Sequence, residues 1–360
     1  GEALVVDPRT WSDAGDLEPG AVDGRRVLVL GCSPLPFENQ RMNMAPGDRT
    51  WQFARALVED GHAVCVAAMR IPGAYETDQA PVDRFSESGV FVTTMEEAVF
   101  REPGVVEKLV AAFRPDVVVG ASSAVPSLRA VEVAGDLPVW IDLFGDLMAE
   151  AQARLGVHPE EGLAPYRDVL VTLLDRGDAF SAVSSRQRFS VIGQLGLVGR
   201  LDRESRDSEL VHVIPCSIGD GRNGAADRSS DTTLEGIESG DFVILWSGGF
   251  NTWCDIDTLV TGVEMAMSDN DSLRLVVTGG AIPGHDDLSF DDFLKRVESS
   301  DFSGRITVKG RLETSELETW LERADLGVVT EKKLLERTLG SSGRVLGWLT
   351  LGLPLVCTGV

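Results

Sequence analysis

One short stretch near the end of the chain, EKKLLERTLGSSGR, combines carboxylates, cations and small residues. The carboxylates of Glu331 and Glu336 could accept hydrogen bonds from sugar hydroxyl groups. Lys332 and Arg344 could hold a diphosphate, because charge-assisted hydrogen bonds are among the stronger polar contacts in proteins. The small pair Gly340–Ser341 would let the backbone approach that anion. The stretch therefore predicts a polar ligand site, with a solvated charged loop as the alternative.

Three stretches in the second half place glycines where an apolar run ends: WSGGFNTW, TGGAIPGHD and VKGRLETSEL. Glycine lets backbone N–H groups approach an anion, and a helix that starts nearby adds a favourable dipole. Simple tight turns are the alternative, but three in succession favour a phosphate or nucleotide site. The residues predicted to line it are Gly248, Gly249, Asn251, Gly280, Gly310 and Arg311.

Two stretches of the first half are candidates for a substrate pocket. The long polar loop SPLPFENQRMNMAPGD carries Asn43 and Gly47 and runs into Arg49, and long loops at the end of a strand often shape a pocket. An ordinary surface loop is the alternative. The stretch WIDLFGD places Asp142 and Asp146 at the end of a strand, where one carboxylate could orient an acceptor hydroxyl. A helix-capping or turn role for Asp142 is equally open.

The elements that must position these residues alternate along the chain. Short, fully apolar runs such as VLVLG and AVCVAAM predict strands buried on both faces, and amphipathic segments between them predict helices. This alternation predicts doubly wound parallel sheets. Residues 219–240 are rich in Gly, Ser and Asp and predict a linker, so we expect domains at 1–218 and 241–360 that face a cleft.

Other classes of function are excluded by what the chain lacks. There is no G-x-G-x-x-G after the first strand and no G-x-x-x-x-G-K-[ST], which argues against a dinucleotide dehydrogenase and a P-loop NTPase. The five cysteines and four histidines are scattered without metal-ligand spacing, so neither disulfides nor a bound metal is expected. A net charge of −24 disfavours nucleic acid as a partner.

With these features the chain resembles a GT-B fold glycosyltransferase, most closely the retaining family four. The resemblance covers both halves and is most specific in the second. The order of four segments carries it: FVILWSGG, LRLVVTGGAIPG, ITVKGRLETSELETWLERADLGVV and LGWLTLGLPLVCT. The first half matches more loosely, through MAPGDRTWQFARALVEDGHAV. The resemblance implies two Rossmann-like domains that face a cleft.

The resemblance also implies roles for individual residues. Gly248 and Gly249 would lie against the donor phosphates, Gly310 and Arg311 would border the base pocket, and residues 331–344 would hold the donor sugar and diphosphate. In sugar transfer from such a donor, Arg344 would stabilise the negative charge of the departing diphosphate and Glu336 would position the sugar.

The chain also departs from the family pattern. The two glutamates of the family's E-x7-E pattern would fall at Leu339 and Gly347, neither of which is acidic, and Glu336 is three residues out of register. Residues 241–272 also lack the Arg and Lys that often bind the diphosphate in and after the first loop of that domain.

The sequence thus predicts transfer of a sugar from a nucleoside diphosphate donor to a glycan, lipid-linked or small-molecule acceptor, with retention and without a metal or other cofactor. A nucleotide-sugar epimerase of the same fold and a non-catalytic nucleotide-sugar-binding homologue are the alternatives. The first residue is Gly and the chain ends just after an apolar strand, so we expect a C-terminally truncated fragment.

We expect a cytoplasmic protein with at most peripheral contact with the inner face of a membrane. That contact would use residues 186–200, a segment in which Phe189, Ile192 and Leu195 recur at helical spacing between arginines. Packing of this helix onto the sheet is the favoured interpretation.

Overall fold

The computed structural model of the protein describes residues 24–38, 44–75, 81, 83–85, 89–217, 234–282, 285–286 and 288–359. Asn43 of the predicted acceptor loop and residues 219–233 of the predicted linker lie outside these ranges. The described residues form two compact units, each of which contains one sheet.

The first sheet contains eight strands: β1 (Arg26–Ser33), β2 (Ala63–Arg70), β3 (Asp83–Phe85), β4 (Phe91–Glu96), β5 (Val117–Gly120), β6 (Val139–Leu143), β7 (Ala179–Ala182) and β8 (Val211–Val213). Their order is β3-β4-β2-β1-β5-β6-β7-β8, and every neighbouring pair is parallel except β3 and β4. The helices in this part of the chain are α1 (Ala45–Glu59), α2 (Glu97–Phe100), α3 (Val105–Phe113), α4 (Ala124–Ala134), α5 (Leu147–Arg154), α6 (Ala164–Arg176) and α7 (Ser185–Leu197).

The apolar runs form central strands because both of their faces are covered. Alternate residues of β1 point to opposite sides of the sheet, so Leu28 and Leu30 join one core cluster while Val27 and Val29 join the other. All four side chains are almost completely buried. A strand with two buried faces needs apolar residues at every position, and this explains why VLVLG is continuous rather than alternating.

The second sheet contains five parallel strands: β9 (Phe242–Phe250), β10 (Leu273–Ala281), β11 (Ile306–Gly310), β12 (Leu326–Val329) and β13 (Leu355–Cys357). Their order is β11-β10-β9-β12-β13. The helices are α8 (Ile256–Asp269), α9 (Ser289–Glu298), α10 (Thr314–Arg323), α11 (Leu335–Leu339) and α12 (Gly343–Thr350). Strand β9 again divides its side chains between two clusters, with Ile244 and Trp246 in one and Val243 and Leu245 in the other.

These two sheets confirm the predicted fold class of two doubly wound α/β domains built on parallel strands. The compact units do not follow the chain in two uninterrupted halves, however. Ala149–Gly162 is grouped with the second unit and Leu339–Ser341 with the first. Ile237, within the predicted linker, is buried in the core of the second unit, because that end of the segment packs against β9 and its neighbours.

Helix α7 packs onto the first sheet through one face. Val191 and Leu195 are buried there and Ile192 packs against the same cluster. Phe189, which shares their spacing in the sequence, is instead 67% exposed. The helix therefore packs onto the sheet, as the sequence favoured, but only through the side that carries Val191, Ile192 and Leu195. No helix in the described part of the chain combines the length and the apolar character needed to cross a membrane.

Candidate functional site

The side chain of Arg344, near the start of α12, lies at the carboxyl end of β9. Its guanidinium carbon is 4.6 Å from the centre of the Trp246 ring, a distance at which a cation is attracted by the face of an indole. Its Nη2 atom is 3.5 Å from the carbonyl oxygen of Gly249. Carboxyl ends of parallel strands are where α/β proteins usually bind ligands, so this cation occupies a favourable position for a site.

Gly248 makes room for this guanidinium. Its φ of +128° is rarely adopted by residues with a side chain, and a Cβ atom there would lie 2.5 Å from Nη2 of Arg344. Gly279, its partner across the sheet, has a φ of +109°, and a Cβ atom there would meet the carbonyl oxygen of Gly248 at 1.8 Å. Gly248 therefore allows the close contact with Arg344, and Gly279 allows the close contact between β9 and β10.

Two of the three predicted glycine-rich turns lie inside strands, and the third lies at a strand end as predicted. Gly248 and Gly249 lie within β9, Gly280 lies within β10 and Gly310 is the last residue of β11. The helix after β9 begins only at Ile256, where the side chain of Asp255 accepts a hydrogen bond from the backbone N–H of Thr258. A helix N-terminus therefore does not follow directly on the Gly-Gly pair, because the strand continues through both glycines.

Burial lowers the pKa of Arg344, and the negative charges of Cys254 and Glu331, when ionised, only partly offset this effect. Among the residues that the structure describes, Arg344 forms no salt bridge within 4.0 Å. A half-buried cation that lacks a direct anionic partner has lost water without gaining a counter-charge. The site would therefore gain electrostatic stabilisation from an anionic ligand.

Glu336 is located differently from what its predicted role requires. It is only 3% exposed, and its two carboxylate oxygens accept hydrogen bonds from Nε and Nη2 of Arg337. Arg337 also contacts Oε1 of Glu331 at 3.2 Å and places its guanidinium 4.6 Å from the centre of the Trp253 ring. Direct positioning of a sugar by Glu336 is therefore not supported, since Arg337 occupies the carboxylate.

Arg337 is a residue that the sequence reasoning missed. Burial alone would lower its pKa, but the hydrogen bond and charge of Glu336 and the charge of Glu331 outweigh burial and raise the pKa. The adjacent letters E-R in EKKLLERTLG were a possible signal, although neighbouring residues on a helix do not usually face each other. Only the fold shows that one arginine bridges two glutamates.

Glu331 and Lys332 follow β12 and connect it to neighbouring loops. The backbone N–H of Glu331 donates to Oγ1 of Thr358 at 2.8 Å. Lys332 donates from its backbone N–H to the carbonyl oxygen of Trp253 at 2.7 Å and from Nζ to that of Thr252 at 3.1 Å. The predicted pair thus lies beside the loop that follows β9, with the lysine side chain at the surface.

The amide of Asn251, the first residue after β9, is fixed in one orientation. Its Oδ1 atom accepts hydrogen bonds from the backbone N–H of Thr252 at 2.7 Å and from Nε2 of His285 at 2.7 Å. Its Nδ2 atom has no acceptor among the residues that the structure describes. The amide N–H bonds of Asn251 are therefore available to an acceptor-rich ligand, and His285 is a second residue that sequence reasoning did not select.

The remaining residues predicted for the second half are more dispersed. Arg311 is exposed and donates to the carbonyl oxygen of Ala281 at the end of β10. Gly340 and Ser341 follow α11 and are grouped with the first unit, not with Arg344.

Asp142, predicted as a group that orients an acceptor hydroxyl, is instead an internal anchor of the first unit. It is 2% exposed, and its oxygens accept from Nε and Nη2 of Arg49 at 3.1 and 2.9 Å and from Oγ of Ser181 at 2.6 Å. The backbone N–H of Ser122 lies 3.3 Å from Oδ2. A carboxylate enclosed by four donors has no free face for a substrate, so this prediction is corrected.

The other residues predicted for the acceptor side also have structural contacts. Gly47 lets α1 approach the segment after β1, since a Cβ atom there would lie 1.8 Å from the carbonyl oxygen of Pro34. Asp146 is 6% exposed and accepts from Ser190 at 3.0 Å and Gln194 at 3.2 Å on α7. The first unit therefore offers no accessible acid–base group among the predicted residues that the structure describes.

The described residues contain no group of three or more histidine, cysteine, aspartate or glutamate side chains placed to hold a metal ion.

Neither a family model nor a curated protein sequence matches the chain. Solved structures do. Sucrose-phosphate synthase from Thermosynechococcus elongatus matches with a TM-score of 0.65 and 13% identity over 93% of this chain and 82% of that one. Trehalose-phosphate synthase (UDP-forming) from Burkholderia vietnamiensis matches with a TM-score of 0.62 and 11% identity over 93% and 83%. The catalytic domain of starch synthase IV from Arabidopsis thaliana, bound to ADP and acarbose, matches with a TM-score of 0.59 and 13% identity over 93% and 83%.

These similarities confirm the GT-B fold predicted from the sequence, with two parallel-sheet α/β domains. At identities this low a structural likeness establishes the fold, while function has to be argued from the site. In the second unit the site is the set of side chains around Arg344, at the carboxyl ends of β9, β10 and β12.

Proposed function

We propose that the protein is a glycosyltransferase that moves a sugar from a nucleoside diphosphate-sugar to a hydroxyl-bearing acceptor. One observation carries the proposal: Arg344 is a half-buried cation without a direct anionic partner among the described residues, at the carboxyl end of β9. A diphosphate would supply the missing counter-charge. The GT-B fold supports this assignment, because structures of that fold in complex with UDP and glucose, or with ADP, match the chain.

In the proposed reaction the bond between the anomeric carbon and the diphosphate oxygen breaks while a bond to the acceptor oxygen forms. The acceptor proton passes to an oxygen of the departing nucleoside diphosphate, and the product retains the donor's anomeric configuration. Arg344 would stabilise the charge that develops on the leaving group, an interaction stronger in the transition state than in the bound donor. No protein nucleophile and no metal is required, and retention in the manner of family four belongs to the proposal.

Asn251 would complement Arg344 at the donor. Its amide N–H bonds, which have no acceptor among the described residues, lie just after β9, the strand to which Gly248 and Gly249 belong. Lys332, beside the same loop, would add a second positive charge near the diphosphate. Glu336 would not contact the sugar through its carboxylate; the pair of Glu336 with Arg337 would instead shape the wall of the site.

Isothermal titration of the protein with UDP, ADP and GDP tests the proposal, followed by incubation of the corresponding glucose donors with and without candidate acceptors. We expect one nucleoside diphosphate to bind and its donor to release free nucleotide. Binding of none of the three would refute the donor site. The anomeric configuration of the product, read by NMR, tests retention.

A non-catalytic nucleotide-sugar-binding homologue is the second candidate, and one observation favours it: the carboxylate of Glu336 is already neutralised by Arg337. Tight nucleotide binding without release of sugar from any donor would support this candidate over transfer. Conversion of one nucleotide-sugar into its epimer, without net release of free nucleotide, would instead support the epimerase alternative.

The acceptor is proposed as a glycan, a lipid-linked sugar or a small molecule.

A further inference from the structure

His285 lies between the proposed donor-binding residue Asn251 and a cation that belongs to a different part of the chain. Its Nε2 atom is 2.7 Å from Oδ1 of Asn251, and its Nδ1 atom is 2.9 Å from Nη1 of Arg154. Arg154 ends α5, in the segment Ala149–Gly162 that is grouped with the second unit. Both ring nitrogens are therefore engaged, one by an amide and the other by a guanidinium.

The chemistry of these partners determines the protonation of the ring. A guanidinium has only donors, so Nδ1 of His285 must accept from Arg154 and carries no proton. Nε2 then carries the proton and donates to Oδ1 of Asn251. The donor from Thr252 uses the same oxygen, so the amide nitrogen of Asn251 is held on the opposite side. The ring is thus fixed as the neutral Nε2–H tautomer.

Arg154 is itself held in place. Glu161 accepts from its Nε at 3.1 Å and from its Nη2 at 2.6 Å, which is a two-bond ion pair. His158, on the same segment, lies with Nε2 3.2 Å from the backbone oxygen of His285. These contacts connect the segment to the loop after β10 in two places, so the position of the His285 ring does not depend on the loop alone.

We propose that His285 is a positioning residue for donor binding: as a neutral ring fixed by Arg154, it holds the amide of Asn251 so that its N–H bonds face the nucleoside diphosphate. This proposal rests on the proposed function, because it assigns Asn251 to the donor. A protonated ring would carry a hydrogen on both nitrogens, and the hydrogen on Nδ1 would point at the Arg154 guanidinium. Donor binding should therefore weaken in acid.

The charges around the ring agree with this direction. Burial is the main effect that lowers the pKa of His285, and the positive charges of Arg154 and His158 lower it further, whereas Asp286 and Glu161 act in the opposite sense. The ring therefore stays neutral to a pH below its ordinary pKa of 6.5. The centre of the Trp253 ring lies 6.0 Å from the centre of the His285 ring and adds no charge.

The tautomer can be tested without any nucleotide. In protein labelled with 15N-histidine, His285, assigned by its loss in His285→Gln, should show the Nε2–H pattern at pH 7 and should titrate below the ordinary range. An Nδ1–H tautomer, or an imidazolium at pH 7, would refute the proposal even if nucleotides bind.

The binding test uses the nucleoside diphosphate that the wild-type protein binds, titrated between pH 5 and pH 8. His285→Gln keeps a donor for Asn251 but cannot titrate, so at pH 8 it should bind more tightly than a variant without that donor. Its affinity should also fall less in acid than that of wild type, because only the titration of the terminal phosphate, common to all variants, remains. His285→Leu lacks the donor and should bind about fivefold more weakly throughout, the effect of about one hydrogen bond. His212→Gln, at the exposed histidine of β8, is the matched control and should keep the wild-type profile.

The two proposals fail separately. If the wild-type protein binds no nucleoside diphosphate, the proposed function and the role of His285 both fail. If it binds one, but His285→Gln keeps the wild-type pH dependence or His285→Leu binds as tightly as wild type, only the role of His285 is refuted. Thermal melting of each variant identifies any loss of folding, and for an unfolded His285→Leu the comparison of His285→Gln with wild type still decides the question.

Discussion

Arg49 and Asp142 form a two-bond ion pair inside the first unit, with side chains only 3% and 0% exposed. The same guanidinium donates to the carbonyl oxygens of Ile214 and Pro215, both at 2.8 Å, so one side chain joins α1, β6 and the segment after β8. Both residues were expected at an acceptor site, and the geometry instead makes them part of the framework.

Breaking this pair should destabilise the fold. Removal of one partner of a buried ion pair typically costs about 3 to 5 kcal/mol, because the remaining charge stays buried. Arg49→Met should therefore lower the free energy of unfolding, measured with urea, by that order. The exposed pair of Arg55 and Glu59 on the same helix is the control, and Arg55→Met should cost less than about 0.5 kcal/mol. Equal effects for the two variants would contradict the structural role of Arg49.

Replacement of Arg344 should mainly weaken nucleotide binding, whereas replacement of Arg337 should mainly lower stability. Arg344→Met removes a half-buried cation that has no direct anionic partner among the described residues, so we expect little loss of melting temperature without ligand. Nucleoside diphosphate affinity should fall by about tenfold or more, as for loss of a charge-assisted hydrogen bond. Arg167→Met, at an exposed arginine, should change neither quantity. Unchanged nucleotide affinity in Arg344→Met would remove the residue from the site.

Arg337→Met should mainly reduce stability, because it leaves the carboxylates of Glu336 and Glu331 without their shared cation. We expect a loss of about 3 kcal/mol or more in the free energy of unfolding at pH 7. Replacing the buried carboxylate as well, in Glu336→Gln with Arg337→Met, should recover part of that loss. Urea unfolding of Arg337→Met, Glu336→Gln and the double variant measures this. If the loss in the double variant equals the sum of the two single losses, the pair is not coupled.

Gly248→Ala should damage the site more than the fold. The substitution forces a side chain into a φ of +128° and places Cβ 2.5 Å from Nη2 of Arg344. We expect a stability loss of about 1 to 3 kcal/mol and a displaced guanidinium with weaker nucleotide binding. Gly262→Ala is the control: this glycine of α8 has open space beside it, and alanine should stabilise the helix by up to about 1 kcal/mol. Normal nucleotide affinity in Gly248→Ala would argue against close contact between the strand and Arg344 in the bound state.

The lowered pKa of His285 also predicts a pH dependence of stability. The folded state holds this proton less tightly than the unfolded state, whose pKa is near 6.5. The contribution to stability is therefore complete above the unfolded pKa and is lost as the pH falls through the folded pKa. Arg154→Met removes one of the charges that lower the folded pKa, so its acid loss should be smaller than that of wild type. Melting temperatures of both proteins between pH 5 and pH 8 measure this difference, and identical profiles would contradict it.

Much of the fold was predictable from the sequence because burial in a parallel sheet leaves a local trace. A strand covered on both faces needs an unbroken apolar run, and VLVLG at β1 and FVILW at β9 show it directly. The placement of the glycines was not predictable in the same way. A Gly-Gly pair after an apolar run suits a turn, but β9 continues through Gly248 and Gly249 because β10 provides glycines at the opposing positions.

The candidate site, too, was predictable only in part from the sequence. The sequence by itself determined the residue types that follow the strands of the second half, with Asn251 after β9, Lys332 after β12 and Arg344 on α12. It also predicted parallel sheets, in each of which the carboxyl ends of the strands lie at one edge. Only the tertiary structure decided which charges meet: Arg337 neutralises Glu336, Arg49 neutralises Asp142, and Arg344 has no direct anionic partner among the described residues. The physical reason is that ion pairing depends on distances of a few ångströms between segments that are remote in the chain, and such distances leave no periodic pattern in the sequence.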